Sequence, residues 1–158
     1  KDMDARWTKK NGSSFYGYKD HVKVCKGSKL IEKYIVTDAS VHDSQALETL
    51  IDESNSHNEL YGDSAYGGKS ANEFLGSKSI NHLFNEKGSR NIKLTTEQFE
   101  NNRKKSKIRA RVEHVFGFIE KNMNGSYICT IGIERATTVI GLINLTYNFN
   151  RYIQLVRV

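Results

Sequence analysis

The first third of the chain has the hydrophobic and polar pattern of a β-hairpin. Residues Phe15 to Cys25 are rich in aromatic and β-branched side chains and alternate with polar residues toward their end, which predicts a strand. Leu30 to Val36 is predicted to be a second strand, joined to the first by the short turn Lys26-Gly27-Ser28. Residues 1–14 are polar and end in the turn signal Asn11-Gly12-Ser13-Ser14, so no element is predicted there.

The middle of the chain mixes short helices and short strands. A helix capped by Asp43 or Ser44 is predicted to run to about Ser54, since apolar residues recur on one of its faces. The elements predicted after it are a strand at Glu59–Asp63, a turn at Tyr66–Gly68, a short helix at Ser70–Leu75, a strand at Ile80–Phe84 and a loop at 85–93.

Two long helices are predicted in the last third. The first has a buried stripe at helical spacing, formed by Ile108, Val112, Val115 and Ile119, and ends at Asn124-Gly125. Tyr127 to Ile133 is either a strand or an extended link. The second helix runs from about Glu134 to Leu155, and its predicted apolar side holds Val139, Leu142, Ile143, Phe149 and Ile153. The element order predicts a mixed α/β or α+β fold in one domain over residues 1–158.

The positive charge of the chain lies in one segment. Residues 87–111 carry nine Lys and Arg against two Glu, a net charge of +7, while the rest of the chain carries −1 and the whole chain +6. A focused basic stretch attracts polyanions, because each neutralised phosphate releases a counterion. A solvated helix face is the plainer alternative for such a run. The residues predicted to bind nucleic acid are Arg103, Lys104, Lys105, Lys107, Arg109, Arg111 and Lys121.

Several function classes lack support in the sequence. Cys25 and Cys129 lie far apart without CxxC spacing, so we expect two reduced core cysteines, no zinc site and no disulfide framework. No segment has the pattern of a signal peptide or a membrane span, and the predicted location is the cytoplasm. The motifs of P-loop nucleotide hydrolysis, dinucleotide redox chemistry, zinc proteolysis and serine hydrolysis are missing.

Two acids are candidates for metal-dependent chemistry. Asp63 follows a short apolar strand, and ligands of open α/β sheets lie beyond the carboxyl ends of strands. Glu113 lies on the long helix four residues after Arg109, beside the apolar stripe. Carboxylates suit Mg²⁺, and two-metal phosphoryl transfer needs several of them to converge. A loop-capping role for Asp63 and an ordinary Arg–Glu pair for Glu113 are the alternatives.

Other residues have weaker signals. His42 and Asp43 follow a strand and precede a helix, where Asp43 is either a helix cap or, with His42, a supporting residue near the site. Trp7 lies among Arg6, Lys9 and Lys10. It could stack on a nucleobase or pack on the domain.

The series of short motifs along the chain resembles the catalytic domain of DDE-type transposases of bacterial insertion sequences. The matching stretches, in family order, are Asp4–Lys10, Tyr16–His21, Val36–Ser44, Gly62–Tyr66, Arg109–Gly117 and Leu145–Arg151. Each alone is modest, but their order and spacing over nearly the whole chain are specific. The resemblance implies an α/β, ribonuclease H-like mixed sheet with flanking helices.

The resemblance also implies a function. It is metal-dependent cleavage of DNA at the element's ends and strand transfer, with Mg²⁺ or Mn²⁺ as cofactor. Asp63 matches the family's second acid, and Glu113 matches the third, in the motif R-x-x-x-E that begins at Arg109. The implied partner is double-stranded DNA, namely the element's ends and the target. A homo-oligomer is a further candidate assembly. The implied location is the cytoplasm of a bacterium, in association with the nucleoid.

This chain departs from the family pattern in two ways. Some relatives extend the motif to Y-x-x-R-x-x-x-E-x-x-x-x-x-x-K, but here Ser106 and Glu120 stand at the Tyr and Lys positions, and Lys121 comes one residue late. The family's first acid lies on a strand upstream of the segment that begins this chain. We therefore expect a truncated part of a transposase that lacks the first strand and the first catalytic Asp. The alternatives are an inactive remnant that binds DNA through residues 87–111, and a related nuclease of the same fold.

Overall fold

The computed structural model describes residues 1–10, 12–52, 55, 58–88 and 93–157. These residues form a mixed α/β fold, as the sequence pattern predicts. The strands are β1 (Arg6–Lys10), β2 (Ser13–Val24), β3 (Ile31–Asp38), β4 (Glu59–Gly62) and β5 (Asn81–Phe84). The helices are α1 (Asp43–Leu50), α2 (Lys69–Ser77), α3 (Thr96–Met123) and α4 (Ile133–Val156), with a short 3₁₀ helix at Ser64–Tyr66. Two compact units divide the chain: residues 1–42 with 112–158, and residues 43–111.

The first unit contains an antiparallel sheet in the order β1-β2-β3. β2 and β3 form the predicted hairpin, with Tyr18 opposite Asp38 and His21 opposite Ile35. β1 was not predicted, because its five residues contain only one large apolar side chain. Its tertiary pairing with the first half of β2, through the turn at Gly12 with its positive φ of 83°, makes it a strand.

Helix α4 packs against this sheet on a face that matches the predicted apolar side only in part. Its buried residues are Ala136, Ile140, Asn144 and Tyr147. Of the predicted residues, Ile143 packs against the core and Val139 is half-buried, whereas Leu142, Phe149 and Ile153 are exposed. The prediction was wrong for these three because the face that meets the sheet includes asparagine: the Asn144 side-chain amide donates to the Asp20 carboxylate on β2 at 2.9 Å.

The core of the first unit lies between the sheet and the two long helices. Its buried residues are Ile31, Val115, Ile119 and Tyr147. Val115 and Ile119 belong to the predicted stripe of α3. That helix ends as predicted, because Asn124 takes a left-handed φ of 50° and the Gly125 amide donates to the Ile119 carbonyl at 3.0 Å. Residues 127–131 are an extended link without strand pairing, which decides between the two predicted alternatives.

The second unit contains the parallel pair β4–β5, with Gly62 opposite Phe84. Its core is an apolar cluster from α1, α2, β5 and the residues that directly flank α1 and β5: Leu47, Ile51, Leu75, Ile80 and Phe84. Helix α1 ends at Leu50, earlier than predicted, and its predicted end at Ser54 lies outside the described residues.

A capping box at the start of α3 was not predicted, although its Thr-x-x-Gln pattern is a known signal. There, the backbone N–H of Gln98 donates to Thr95 Oγ1 at 3.2 Å, and the backbone N–H of Thr95 donates to Gln98 Oε1 at 2.9 Å.

Both cysteines are free thiols, as expected. Cys129 is exposed, however, so the expectation that it lies in the core was wrong. It lies in the extended link between α3 and α4.

Candidate functional site

Asp63 lies immediately after the parallel strand β4, where the sequence predicted it. Its Oδ1 accepts hydrogen bonds from the Ser64 amide at 2.6 Å and from Ser64 Oγ at 3.3 Å, so the carboxylate caps the 3₁₀ helix Ser64–Tyr66. The residue is exposed. A loop-capping role and a ligating role are compatible, because the cap uses one carboxylate oxygen and the side chain faces solvent.

The position of Asp63 depends on the glycine before it. A Cβ built on Gly62 would lie 2.8 Å from Phe84 Cε1 and 3.2 Å from Tyr66 Cδ2, closer than side chains tolerate. Phe84 is buried in the core of this unit and cannot move away cheaply. Glycine at 62 therefore lets β4 approach the Phe84 ring and places the next residue at the end of the strand.

Tyr66 is influenced by the charge of Asp63 and by that of Asp43 at the start of α1. Burial first, and then the negative charges of Asp43 and Asp63, raise the pKa of Tyr66 to about 12. The phenol therefore stays neutral, and it lies in the field of both carboxylates. Asp43 is the first residue of α1. Asp43, predicted as a supporting residue, and Asp63 thus both act on the phenol of Tyr66.

Glu113 lies on α3, exposed, two residues before the buried Val115. It belongs to the unit formed by residues 1–42 and 112–158, whereas Asp63 belongs to the unit 43–111. His42 directly precedes α1 and is the last residue of the segment 1–42, which belongs to the first unit. Among the described residues, no three His, Cys, Asp or Glu side chains lie close enough together to hold a metal ion.

Some side chains of the basic segment form hydrogen bonds within the fold, and others are exposed to solvent. On one face of α3, side chains at helical spacing form hydrogen bonds with the residues at and after the end of β5. Asn102 exchanges two hydrogen bonds of 2.9 Å with the Glu86 backbone, and Ser106 Oγ accepts from Asn85 Nδ2 at 2.9 Å. Lys105 Nζ donates to the Phe84 carbonyl at 3.0 Å and lies 3.5 Å from Glu86 Oε1. Arg103, Lys104 and Lys107 are exposed on the remaining surface.

Sequence reasoning missed this attachment of residues 84–86 to α3. Polar residues at positions 98, 102, 105 and 106 recur at the i, i+4, i+7, i+8 spacing of one helix face, which is the signal that could have found it. The remaining predicted basic residues differ in exposure. Lys121 is exposed, whereas Arg109 and Arg111 are half-buried.

Comparison with known proteins identifies the class and the family. The transposase DDE domain family matches residues 1–149, and the chain belongs to this family. It is 31% identical over 137 residues to the transposase for insertion sequence element IS1106 of Neisseria meningitidis serogroup B, a match that covers 87% of this chain.

The chain spans about half the length of that relative, since the match covers 47% of it. No solved structure matches the chain significantly. None of the helices in the described residues combines the length and the apolar character needed to cross a lipid bilayer.

Proposed function

We propose that this chain is the C-terminal part of a transposase catalytic domain, which cleaves insertion-sequence DNA and transfers its strands in a metal-dependent reaction. The observation that carries the proposal is the placement of Asp63 at the carboxyl end of a parallel strand, in a chain of the DDE transposase family. Such an end of a sheet is where α/β enzymes place their ligands.

Asp63 and Glu113 are the residues that we propose as catalytic carboxylates and metal ligands. Both are exposed carboxylates, the donor type that Mg²⁺ or Mn²⁺ prefers. When bound, such ions activate the attacking oxygen and stabilise the leaving one. The hydrogen bond from the Ser64 amide to Asp63 Oδ1 supports a defined orientation of that carboxylate. We propose Asp43 as a supporting acid, because its charge and that of Asp63 both raise the pKa of Tyr66.

The first acid of the DDE set is proposed to lie upstream of Lys1. One observation supports this: the chain covers 47% of the IS1106 transposase. In the DDE family that the chain belongs to, the first acid lies on a strand that precedes the segment matched by this chain. We propose a ribonuclease H-like sheet that this strand completes.

The test is DNA cleavage by the chain extended upstream to the full length of its relative. With Mg²⁺ or Mn²⁺ and DNA carrying the element's ends, Asp63→Asn and Glu113→Gln should each lower cleavage by at least about a hundred-fold. The loss should be this large because removing a group that merely supports a metal ligand already costs about 10–100-fold.

Glu73→Gln on α2 and Glu97→Gln on α3 are the matched controls, since both residues are exposed carboxylates outside the proposed site. They should cleave at the rate of the unmodified protein. Full cleavage by Asp63→Asn would refute the site assignment, and cuts without joined products would indicate a nuclease.

The second candidate function is DNA binding without catalysis. It is favoured by the exposure of Arg103, Lys104 and Lys107 on one helix. Binding by this chain that persists in the presence of a metal chelator, with no cleavage even in the extended protein, would support it.

A further inference from the structure

The hairpin formed by β1 and β2 has an exposed aromatic surface that the proposed site does not use. Trp7, the one tryptophan of the sequence, has 62% of its surface exposed. It lies opposite Tyr16 across the two strands, with ring centroids 5.2 Å apart. Tryptophan is a residue that proteins bury extensively, and its exposed placement on a paired strand indicates a contact surface.

The Trp7 ring lines a depression with a volume of about 290 Å³. Tyr16, Met3, Arg6 and Lys1 line it as well, together with Asp2. The Tyr16 hydroxyl donates to the Asp2 carbonyl, which fixes the orientation of the ring. The depression is close to the lower end of the volume range of ligand sites, which is roughly 300–1,000 Å³. One planar ring system against Trp7 suits a space of this size.

The charge around this surface favours an anionic partner. Lys9 shares the Trp7 face of β1, since residues two apart on a strand point to the same side. The two acids of the segment are turned toward the start of α4. Asp2 accepts from Tyr18 Oη at 2.6 Å and from the Gly132 amide at 3.1 Å, and Asp4 accepts from the Ile133 amide at 3.0 Å. Lys1, Lys9 and Lys10 are exposed.

We propose that the β1–β2 hairpin binds single-stranded DNA by stacking an unpaired nucleobase on Trp7, with the neighbouring lysines at the phosphates. An aromatic face with basic neighbours is how proteins hold single strands, and stacking needs a base whose face is not covered by its neighbours in a duplex. This inference rests on the proposed function in one respect, the choice of DNA as the nucleic acid that binds. It assigns a second contact surface, separate in sequence from the basic segment 87–111.

The test uses the fluorescence of Trp7, which the sequence makes the only tryptophan signal. A single-stranded oligonucleotide should quench this emission, whereas a blunt duplex of the same sequence should leave it nearly unchanged. Trp7→Ala should weaken binding of a dye-labelled single strand by about 5- to 150-fold, the equivalent of roughly 1–3 kcal/mol for one stacked base. Trp7→Phe should restore most of the affinity.

Phe15→Ala is the matched control, because Phe15 is an exposed aromatic residue of the same hairpin that faces the opposite side. It should bind the single strand as the unmodified chain does. Equal quenching by duplex, a bound single strand with unquenched Trp7, or unchanged affinity of Trp7→Ala would overturn the inference. So would a concentration-dependent shift of the Trp7 emission without DNA, which would indicate that a second copy covers the ring.

Failure of this inference is separable from failure of the proposed function. A variant with Arg103→Glu and Lys104→Glu should lose duplex binding and retain the quenching of Trp7 by the single strand. Loss of that quenching in this variant would place the single strand on the basic segment and overturn the inference.

Discussion

At the scale of single residues, the pair Asp20–Asn144 is the least satisfied polar contact in the interior of the first unit. Asn144 is 3% exposed and donates to one oxygen of Asp20. In the described part of the chain, neither Asp20 Oδ1 nor Asn144 Oδ1 has a hydrogen-bond partner. Burial raises the pKa of Asp20 from 3.8 to about 6, against the opposing effect of the Asn144 hydrogen bond. Protonation of Asp20 removes a buried negative charge and turns one of its oxygens into a hydrogen-bond donor.

This pair predicts how stability changes with pH. A carboxyl group whose pKa is higher in the folded state stabilises the fold fully below its unfolded pKa, near 4, and this stability is lost as the pH rises through about 6. Asp20→Asn removes the ionisation and supplies an N–H donor. We expect it to increase the free energy of unfolding at pH 8 by up to roughly 3 kcal/mol, with the gain shrinking toward pH 4.

Urea unfolding between pH 4 and pH 8 measures this effect. Glu73→Gln, an exposed carboxylate on α2, should leave the pH dependence of the unmodified chain unchanged. An Asp20→Asn protein that is less stable at pH 8 would show that the carboxylate is needed there.

At the scale of elements, α4 is held to the β2–β3 hairpin by polar side chains as much as by apolar packing. Asn148 accepts from the Ile31 amide and donates to the Ile31 carbonyl, both at 2.8 Å. Tyr147 Oη donates to the Lys29 carbonyl at 3.0 Å, and Arg151 Nε donates to the Ser28 carbonyl at 2.7 Å. These bonds satisfy backbone groups at the tip of the hairpin that the helix covers.

Asn148→Ala should therefore destabilise the first unit. It leaves both Ile31 backbone groups without their side-chain partner, at a cost of roughly 1–3 kcal/mol. Asn150→Ala is the control two residues further on, because Asn150 is exposed and accepts from Gln154 in the same helix. Thermal unfolding should show a lower Tm for Asn148→Ala than for Asn150→Ala, and equal Tm values would contradict this account of the α4 contact.

At the scale of the whole molecule, the positive charge is the property that bears most directly on partners. The net charge of +6 arises from residues 87–111, while the rest of the chain is nearly neutral. The fold then decides which of these charges are accessible. Arg103, Lys104 and Lys107 are exposed, whereas Lys105 is held by Phe84 and Glu86. Long-range attraction comes from the whole segment, but phosphate contacts should come from its exposed members.

The affinity for duplex DNA should therefore fall as the salt concentration rises, and substitutions of the neighbouring residues Lys104 and Lys105 should change this salt dependence by different amounts. Three phosphate contacts would give a slope of about −3 for the logarithm of affinity against the logarithm of salt concentration. Lys104→Gln should reduce the size of that slope by about 1. Lys105→Gln should leave the slope nearly unchanged and lower thermal stability instead. Fluorescence anisotropy over a salt series measures both slopes, and equal changes for the two variants would show that exposure does not select the contacts.

Local pattern alone was sufficient for much of the fold. The β2–β3 hairpin, the strand before Asp63, the stripe of α3 and its end at Asn124-Gly125 all depend on residues near one another in sequence. The candidate carboxylates Asp63 and Glu113 were likewise found from motif and position, and their roles remain predictions.

Tertiary structure decided the rest, because it depends on partners distant in sequence. β1 is a strand only through its pairing with β2, and the buried face of α4 is set by the Asp20 and Ile31 groups that its asparagines meet. The engagement of Lys105 and the exposure of Trp7 are also set by neighbours that no local pattern specifies. The sequence by itself determined which acidic, basic and aromatic side chains the chain carries and how they are spaced. Only the tertiary structure decided which side chains are committed to the fold and which reach solvent, because burial and hydrogen-bond partners arise when distant segments meet.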